Sequence, residues 1–303
     1  MSELETTRVS LSTGVTLRVA HGGPADAQAI ILLHGFPESH RTWRLIAPAL
    51  ARDWRVIAPD QRGFGASDKP EGVEEYRSEK TIADIFALAD AYGFERFTLV
   101  GHDWGGAIAW GAALARPDRI DRLVIVNAPH PWIFQRTVID HPAQRLASQY
   151  IRAFRSPMME KTIDAMGLDT FFEKSFGAHV DLARIPAEER GRYLHDWNQE
   201  GALTAMLNWY RASNLVVPAR DEAEPRPAWA RDAFPDVTVP TLVVWGMKDR
   251  ALLPVQLEGL DRLVADLTVL QVEDAGHFVT WERPEPVVTM IRRFMEERPA
   301  PSR

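Results

Sequence analysis

The sequence lacks cysteine, long apolar runs and any excess of positive charge. Without cysteine, the 303-residue chain cannot build a disulfide framework, a thiolate metal site or a cysteine nucleophile. Its apolar runs, such as residues 29–33, are far shorter than the roughly 18 residues of a membrane-spanning helix. Its first residues also lack the basic start and apolar stretch of a signal peptide. We therefore expect a soluble protein of the cytoplasm.

The charge balance is mildly acidic, with 35 lysines and arginines against 42 aspartates and glutamates. A formal charge of −7 disfavours nucleic acid as a partner, because it repels phosphates. We find no cluster of metal ligands, and the glycines at 63 and 65 are too closely spaced for a dinucleotide-binding loop. The sequence thus predicts no metal and no organic cofactor. We expect its partners to be a small molecule and water, and the protein to be a monomer or a homodimer.

Short, continuous apolar runs alternate with helical patterns along most of the chain. Such runs are typical of strands buried on both faces, and their alternation with helices predicts an α/β fold with a mostly parallel sheet. The predicted strands are residues 29–33, 55–58, 97–100, 123–126, 241–245 and 267–272, and the predicted helices are 42–51, 80–92 and 105–116. A turn signal at Thr13 and Gly14, between runs at 9–12 and 15–20, adds a hairpin and brings the total to eight strands.

Residues 131–219 interrupt this alternation. They contain no comparable β-rich run, are rich in aromatic residues, and show helical patterns that Pro142, Pro157 and Pro186 break into short helices. We predict a core domain formed by residues 1–130 and 220–303. The segment 131–219 is predicted to be a helical cap domain inserted over the sheet.

The sharpest motif is Gly-His-Asp-Trp-Gly-Gly at residues 101–106, directly after a buried strand and directly before an alanine-rich helix. Glycines around the central residue permit a tight turn that lifts Asp103 above the sheet. The helix beginning there aims backbone N–H groups at the same place. A residue that only caps the helix would not need small residues on both sides. We predict that Asp103 is a nucleophile.

Two partners for Asp103 follow further along the chain. Asp249 comes just after the predicted strand at 241–245, and His277 lies 28 residues later, just past the last strand. Nucleophile, acid and histidine in this chain order are typical of the α/β-hydrolase fold. We predict that His277 is the catalytic base and that Asp249 orients it.

A fourth element is His-Gly-Phe-Pro at residues 34–37, after the first buried strand. In this architecture such a loop donates one backbone N–H to an oxyanion hole, and the residue after the nucleophile donates the second. The predicted donors are therefore Phe36 and Trp104. Both side chains and that of His34 are also predicted to contact the substrate.

Aspartate as the nucleophile narrows the reaction. At a saturated carbon serine would form a dead-end ether, whereas an ionised aspartate displaces a leaving group and becomes an ester that water can cleave. The ordinary pKa of aspartate already keeps it ionised at neutral pH, so histidine is needed for the second step, the activation of water. Asp103 therefore predicts a substrate with an electrophilic saturated carbon, as in epoxides and alkyl halides.

From about residue 7 to residue 295 the sequence resembles the α/β-hydrolase superfamily and, within it, the epoxide hydrolases. Three motifs are shared with dehalogenases: His-Gly-Phe-Pro-Glu-Ser at 34–39, Asp-Gln-Arg-Gly-Phe-Gly-Ala-Ser-Asp-Lys-Pro at 60–70, and the motif at 101–106. Asn-Trp-Tyr-Arg at 208–211 is more specific. The resemblance implies hydrolysis of an epoxide to a diol, with two cap tyrosines holding the epoxide oxygen. Tyr210 matches one closely; Tyr150 matches the other loosely and has packing in the cap as its alternative role.

Two alternatives remain open. Haloalkane dehalogenases resemble this chain but pair a tryptophan after the nucleophile with an asparagine in the first loop. Here Trp104 is present, while Phe36 holds the asparagine position and has no side-chain donor. Fluoroacetate dehalogenases, which act on a haloacid, carry arginine where Trp104 stands. The second alternative, from another class, is a small-molecule-binding homologue that has the fold without turnover. Epoxide hydrolysis is favoured over these alternatives because the epoxide oxygen stays attached to the substrate when the ring opens. Cap tyrosines can bind this oxygen and protonate it.

Overall fold

The computed structural model describes residues 4–231 and 233–299. Its strands are β1 (Glu5–Ser10), β2 (Thr16–Gly22), β3 (Ala29–Leu33), β4 (Arg55–Pro59), β5 (Phe97–His102), β6 (Ile120–Val126), β7 (Thr241–Gly246) and β8 (Leu267–Val272). Within the described ranges they form one eight-stranded sheet in the order β1-β2-β4-β3-β5-β6-β7-β8. β2 pairs antiparallel with β1 and β4, and the other pairs are parallel. The predicted mostly parallel, eight-stranded sheet is confirmed.

The central strands are continuous apolar segments because both of their faces are covered. Every residue of β3, β5 and β7 is buried. β8 differs, since it is an edge strand in which only Val272 is buried and Val269 is exposed. The expectation that residues 267–272 are covered on both faces is therefore wrong. The layers that cover the central strands therefore leave most of this edge strand unburied.

β1 and β2 form the predicted hairpin with its turn at Thr13 and Gly14. Gly14 has a φ of 88°, a conformation that glycine adopts without strain, and the backbone N–H of Leu11 donates to the carbonyl of Val15 at 2.9 Å. β1 begins at Glu5, four residues before the predicted run. Its polar residues pair with β2 through backbone groups, which apolar patterning does not detect.

The helices are α1 (Ala47–Leu50), α2 (Ser78–Ala91), α3 (Trp104–Ala115), α4 (Pro131–Asp140), α5 (Pro142–Ala147), α6 (Gln149–Phe154), α7 (Met159–Met166), α8 (Leu168–Gly177), α9 (Ala187–Trp197), α10 (Ala202–Arg211), α11 (Val279–Glu282) and α12 (Pro284–Glu297). α2 and α3 correspond to the predicted helices at 80–92 and 105–116. The predicted helix at 42–51 is wrong, because a 3-10 turn, His40–Trp43, and the short α1 replace it. Pro48 cannot donate a backbone hydrogen bond and would clash with the carbonyl four residues earlier. None of the described helices is long and apolar enough to cross a membrane.

Helices α4 to α10 lie between β6 and β7 and form what we call the insertion, residues 131–211. As predicted, prolines divide it: Pro142 begins α5, Pro157 lies between α6 and α7, and Pro186 directly precedes α9. Two indole groups fasten it to loops that follow strands of the sheet. Nε1 of Trp197 donates to the carbonyl of Pro37 at 2.8 Å, and Nε1 of Trp209 donates to that of Arg62 at 3.1 Å. The insertion therefore covers the carboxyl ends of β3 and β4.

Candidate active site

Asp103 stands on a tight turn between β5 and α3. Its φ of 51° lies in the left-handed region, which residues other than glycine seldom adopt. The surrounding backbone is so close that a Cβ on Gly101 would lie 2.4 Å from the carbonyl oxygen of Gly105. A Cβ on Gly105 would lie 2.4 Å from the carbonyl oxygen of Leu33. The Asp103 side chain makes no capping hydrogen bond to α3, so the turn presents its carboxylate to other groups.

Within the described ranges, two groups contact the Asp103 carboxylate. The backbone N–H of Phe36 donates to Oδ1 at 2.8 Å, and Nε2 of His277 lies 3.5 Å from Oδ2. Burial alone would raise the pKa of Asp103, but its interactions with His277 and the Phe36 N–H lower that pKa below its ordinary value. Asp103 is therefore ionised at neutral pH. The other carboxylate oxygen, Oδ2, does not accept a hydrogen bond from the Phe36 N–H.

Phe36 and Trp104 are the predicted backbone donors, and His34 is a predicted substrate contact. Phe36 donates to Asp103, while Trp104 is the first residue of α3, where backbone N–H groups have no partner within the helix. The side chain of His34 is fully buried. Its Nε2 accepts from the backbone N–H of Gln61 at 3.0 Å, and its Nδ1 donates to the carbonyl of Gly35 at 2.9 Å. These bonds hold its ring inside the core, and the substrate contact of His34 stays a prediction.

His277 and Asp249 are paired. Nδ1 of His277 donates to Oδ2 of Asp249 at 2.8 Å, and Oδ1 of Asp249 accepts the backbone N–H groups of Ala251 and Leu252, each at 2.9 Å. Burial opposes the charge on both groups, but their mutual attraction lowers the pKa of Asp249. Together with the charge of Asp103, that attraction raises the pKa of His277 well above its ordinary value. With Nδ1 held by Asp249, Nε2 faces Asp103.

Asn127 is a residue of the site that the sequence interpretation missed. Its Nδ2 donates to Oδ2 of Asp249 at 2.8 Å, and its Oδ1 accepts from the backbone N–H of Gly246 at 2.9 Å. Its φ of 41° is again left-handed, a region that asparagine tolerates better than most residues. One signal could have identified it. Asn127 directly follows β6, which lies in the sheet between the strands that end next to Asp103 and Asp249.

A buried pair, Glu38 and His102, lies behind His277. Nε2 of His102 donates to the backbone carbonyl of His277 at 2.9 Å, and its Nδ1 lies 3.2 Å from Oε2 of Glu38. Nε1 of Trp281 donates to Oε1 of Glu38 at 2.7 Å. Because His102 directly precedes Asp103, this pair connects the turn that carries Asp103 to the loop that carries His277.

Tyr150 on α6 and Tyr210 on α10 line the same cavities as Asp103. Their ring centroids are 6.1 Å apart and the rings are nearly perpendicular, at 85°. Burial raises the pKa of each hydroxyl well above its ordinary value, and the charge of Asp103 acts in the same direction. Both hydroxyls therefore stay protonated and able to donate. The structure brings both predicted tyrosines to Asp103, including Tyr150, the looser match.

Asp103, Tyr150 and Tyr210 lie where two cavities meet, since all three line both of them. The smaller cavity, of ≈ 190 Å³, is mainly apolar, and its walls include Trp104, Ile108, Phe134, Leu215, Trp229 and Leu252. The larger cavity, of ≈ 490 Å³, is bordered by Phe36, Phe154, Met159, Met166, Phe171 and His277. A molecule reacting at Asp103 can therefore extend in two directions. Residues 4–231 and 233–299 contain no group of histidines and carboxylates arranged to hold a metal ion.

Comparison with known proteins identifies the fold family of this chain. The profile of the alpha/beta hydrolase fold family matches residues 28–284. A Bacillus subtilis protein named AB hydrolase superfamily protein YfhM is 36% identical to this chain, and the match covers 95% of the chain and 96% of that protein. Epoxide hydrolase 3 of Xenopus tropicalis is 31% identical, over 94% of this chain and 76% of that protein.

Solved structures are similar over nearly the whole chain. One of a group described as novel epoxide hydrolases from metagenomes of hot environments has a TM-score of 0.91 and 46% identity, and the match covers 97% of this chain and 99% of that one. The Bacillus megaterium epoxide hydrolase, solved in complex with an inhibitor, has a TM-score of 0.84 and 27% identity. That match covers 96% of this chain and 100% of the Bacillus megaterium chain.

Proposed function

Because this chain belongs to the α/β hydrolase fold family and, within it, to the group of the epoxide hydrolases, we propose that it hydrolyses epoxides to vicinal diols. One observation carries the proposal: the ionised carboxylate of Asp103 shares its cavities with the protonated hydroxyls of Tyr150 and Tyr210. An epoxide presents a carbon to be attacked and an adjacent oxygen to be protonated. The carboxylate and the hydroxyls supply the nucleophile and the acids for these two atoms.

In the first step, Oδ2 of Asp103 attacks one epoxide carbon and the bond from that carbon to oxygen breaks. The electron pair goes to the oxygen, which takes a proton from Tyr150 or Tyr210, and a hydroxyalkyl ester remains on Asp103. The resulting tyrosinate recovers its proton from the imidazolium of His277. Formation of the neutral ester removes one of the two carboxylates that raise the pKa of His277, so that His277 becomes a base.

In the second step, water attacks Cγ of the ester and gives a proton to Nε2 of His277, whose Nδ1 is held by Asp249. The negative charge develops on Oδ1, which already accepts the Phe36 N–H, and Trp104 provides the adjacent helix-terminal N–H. When the tetrahedral intermediate collapses, the bond from Cγ to the ester oxygen breaks. That oxygen takes the proton of the hydroxyl that water added, and the diol leaves. Asp103 is again ionised and His277 again protonated.

We also propose that residues 131–219 act as a cap domain on a core of residues 1–130 and 220–303. The support lies in the two tyrosines. Tyr150 and Tyr210 both come from the insertion, whereas Asp103, Asp249 and His277 come from the core. Epoxide binding therefore needs both parts, and ring opening takes place between them.

Product analysis with styrene oxide, a bromoalkane and fluoroacetate tests the function. We expect phenylethane diol from styrene oxide, formed by the wild type and not by an Asp103→Ala variant, and no halide from the other two compounds. Halide release without diol formation would make the protein a dehalogenase. No product from any of the three, with ligand binding retained, would indicate a binding protein without turnover.

A further inference from the structure

A glutamine of the insertion, Gln144 on α5, binds the loop that follows Asp249 in the core. Its side chain is fully buried. Its Nε2 donates to the backbone carbonyl of Ala251 at 2.8 Å, and its Oε1 accepts from the backbone N–H of Leu253 at 2.9 Å. One side-chain amide therefore fastens the insertion to the backbone of this loop.

The amide of Gln144 is itself held in a fixed orientation. Its Nε2 also donates to Oγ of Ser148 at 3.0 Å, and its Oε1 also accepts from Nε2 of Gln256 at 3.0 Å. A side-chain amide can donate two hydrogen bonds and accept two, so its full capacity is used. Nε2 of Gln256 donates in addition to Oγ1 of Thr137 on α4, at 2.7 Å. Partners from both the insertion and the core therefore orient this amide.

The carbonyl that Gln144 binds belongs to the same peptide unit as the N–H of Leu252. This unit is planar and trans, so its carbonyl and its N–H point in opposite directions and turn together. The Leu252 N–H donates to Oδ1 of Asp249 at 2.9 Å. Burial alone would raise the pKa of Asp249, whereas its attraction to His277 and then the Leu252 N–H lower that pKa. One rigid peptide unit thus lies between the amide of Gln144 and the carboxylate of Asp249.

We propose that Gln144 is a positioning residue for the second step of the proposed mechanism. By orienting the Leu252 N–H, it keeps Asp249 in the position that holds His277 as the base for water. The first step does not need this contact, because Asp103 attacks the epoxide without a base. This inference rests on the proposed function and adds ester hydrolysis to what the insertion does, since its two tyrosines act in ring opening.

Single-turnover mixing with styrene oxide tests the inference, with the ester followed by rapid-quench intact-protein mass spectrometry. Gln144→Met keeps the length of the side chain and removes its polar atoms. We expect this variant to hydrolyse the ester about tenfold more slowly and to form it within about twofold of the wild-type rate, so that the ester accumulates. A loss of folded protein alone would lower the amplitude of both steps and leave the ratio of their rates unchanged.

Gln135→Met is the matched control. Gln135 is also a fully buried glutamine of the insertion, and its amide likewise binds one backbone carbonyl and one backbone N–H. Both belong to Val216, in the segment after α10, at 2.9 and 2.8 Å. The control variant should also be less stable in urea than wild type, but it should keep the wild-type ratio of the two rates.

Gln144→Asn is a second test variant, which keeps a polar amide at the site but is one methylene too short to make all four bonds. It should slow ester hydrolysis selectively, to a smaller extent than Gln144→Met. Rates of both steps that stay unchanged, or fall by the same factor, in the Gln144 variants would overturn the inference, as would the same selective slowing in Gln135→Met. Wild-type protein that forms neither ester nor diol would instead overturn the proposed function, and this inference with it.

Discussion

Replacing the two tyrosines of the cavity by phenylalanine tests the proposed ring opening. Each change removes one hydroxyl and keeps the ring, so the contacts of Tyr210 with Phe36, Trp104 and Phe154, at centroid distances of 5.0 to 5.1 Å, remain. The free energy of unfolding should change by less than about 1 kcal/mol. Any large loss of activity in these variants is then a loss of chemistry.

The size of the loss follows from the charge that the hydroxyls stabilise. A hydrogen bond to a charged group is worth about 1.5–3 kcal/mol, and about 1.4 kcal/mol corresponds to a tenfold change in rate. Tyr150→Phe and Tyr210→Phe should each lower the rate of ester formation about 10- to 100-fold, since the other hydroxyl still donates. The double variant should lose about 10³-fold or more, because the departing oxygen then has no donor.

Stopped-flow measurement of ester formation, together with diol production at steady state, gives these rates. Tyr193→Phe is the matched control: its hydroxyl is buried without a hydrogen-bond partner in the described part of the chain, and it borders neither cavity. It should leave the rates unchanged. A double variant within about tenfold of wild type would refute the role of the tyrosines. If Tyr150→Phe alone behaves as wild type, Tyr150 only packs in the cap.

Three further changes test Asp103 and the groups around it. Asp103→Ala should abolish turnover and lower the pKa of His277, because one of its two anionic neighbours is lost; NMR titration of the imidazole measures this, and an unchanged pKa would contradict it. Asn127→Gly keeps the left-handed backbone but removes the amide bound to Asp249, and should cost about 2–4 kcal/mol in urea unfolding; a loss below about 1 kcal/mol would argue against that role. Gly35→Ala should abolish activity, since its Cβ would lie 2.3 Å from Cβ of Asp103; wild-type kcat would show that the loop can yield.

The strands of the core could be predicted because a strand that is buried on both faces is a continuous apolar run in the sequence. Residues 29–33 and 267–272 coincide with β3 and β8, and the other predicted strands differ from the observed ones by a few residues at their ends. The sequence did not show that β8 lies at the edge, because strand order depends on how the chain crosses over and not on local composition. Pro48 was a local signal that the prediction of a helix at 42–51 did not take into account.

The candidate site likewise contains residues that local sequence motifs predict and residues that they do not. Asp103, Asp249 and His277 each directly follow or lie near the end of a strand in a recognisable motif, so their meeting at one edge of the sheet could be anticipated. The role of Asn127 depends on a contact with Asp249, 122 residues away in the chain. The inward burial of His34 likewise depends on Gln61, 27 residues away. Such pairings are set by tertiary packing, which a single sequence does not display.

The covalent ester on Asp103 is the central claim, and intact-protein mass spectrometry of a His277→Gln variant tests it most directly. In the proposed mechanism Asp103 needs no base to open the epoxide, but water needs His277, so removal of the imidazole should stop the second step and leave the first. After mixing with styrene oxide, the account predicts a mass increase equal to the whole epoxide, located on the peptide that contains Asp103. An inactive variant that shows no adduct with any epoxide would contradict it, because water would then attack the epoxide directly with Asp103 as a base.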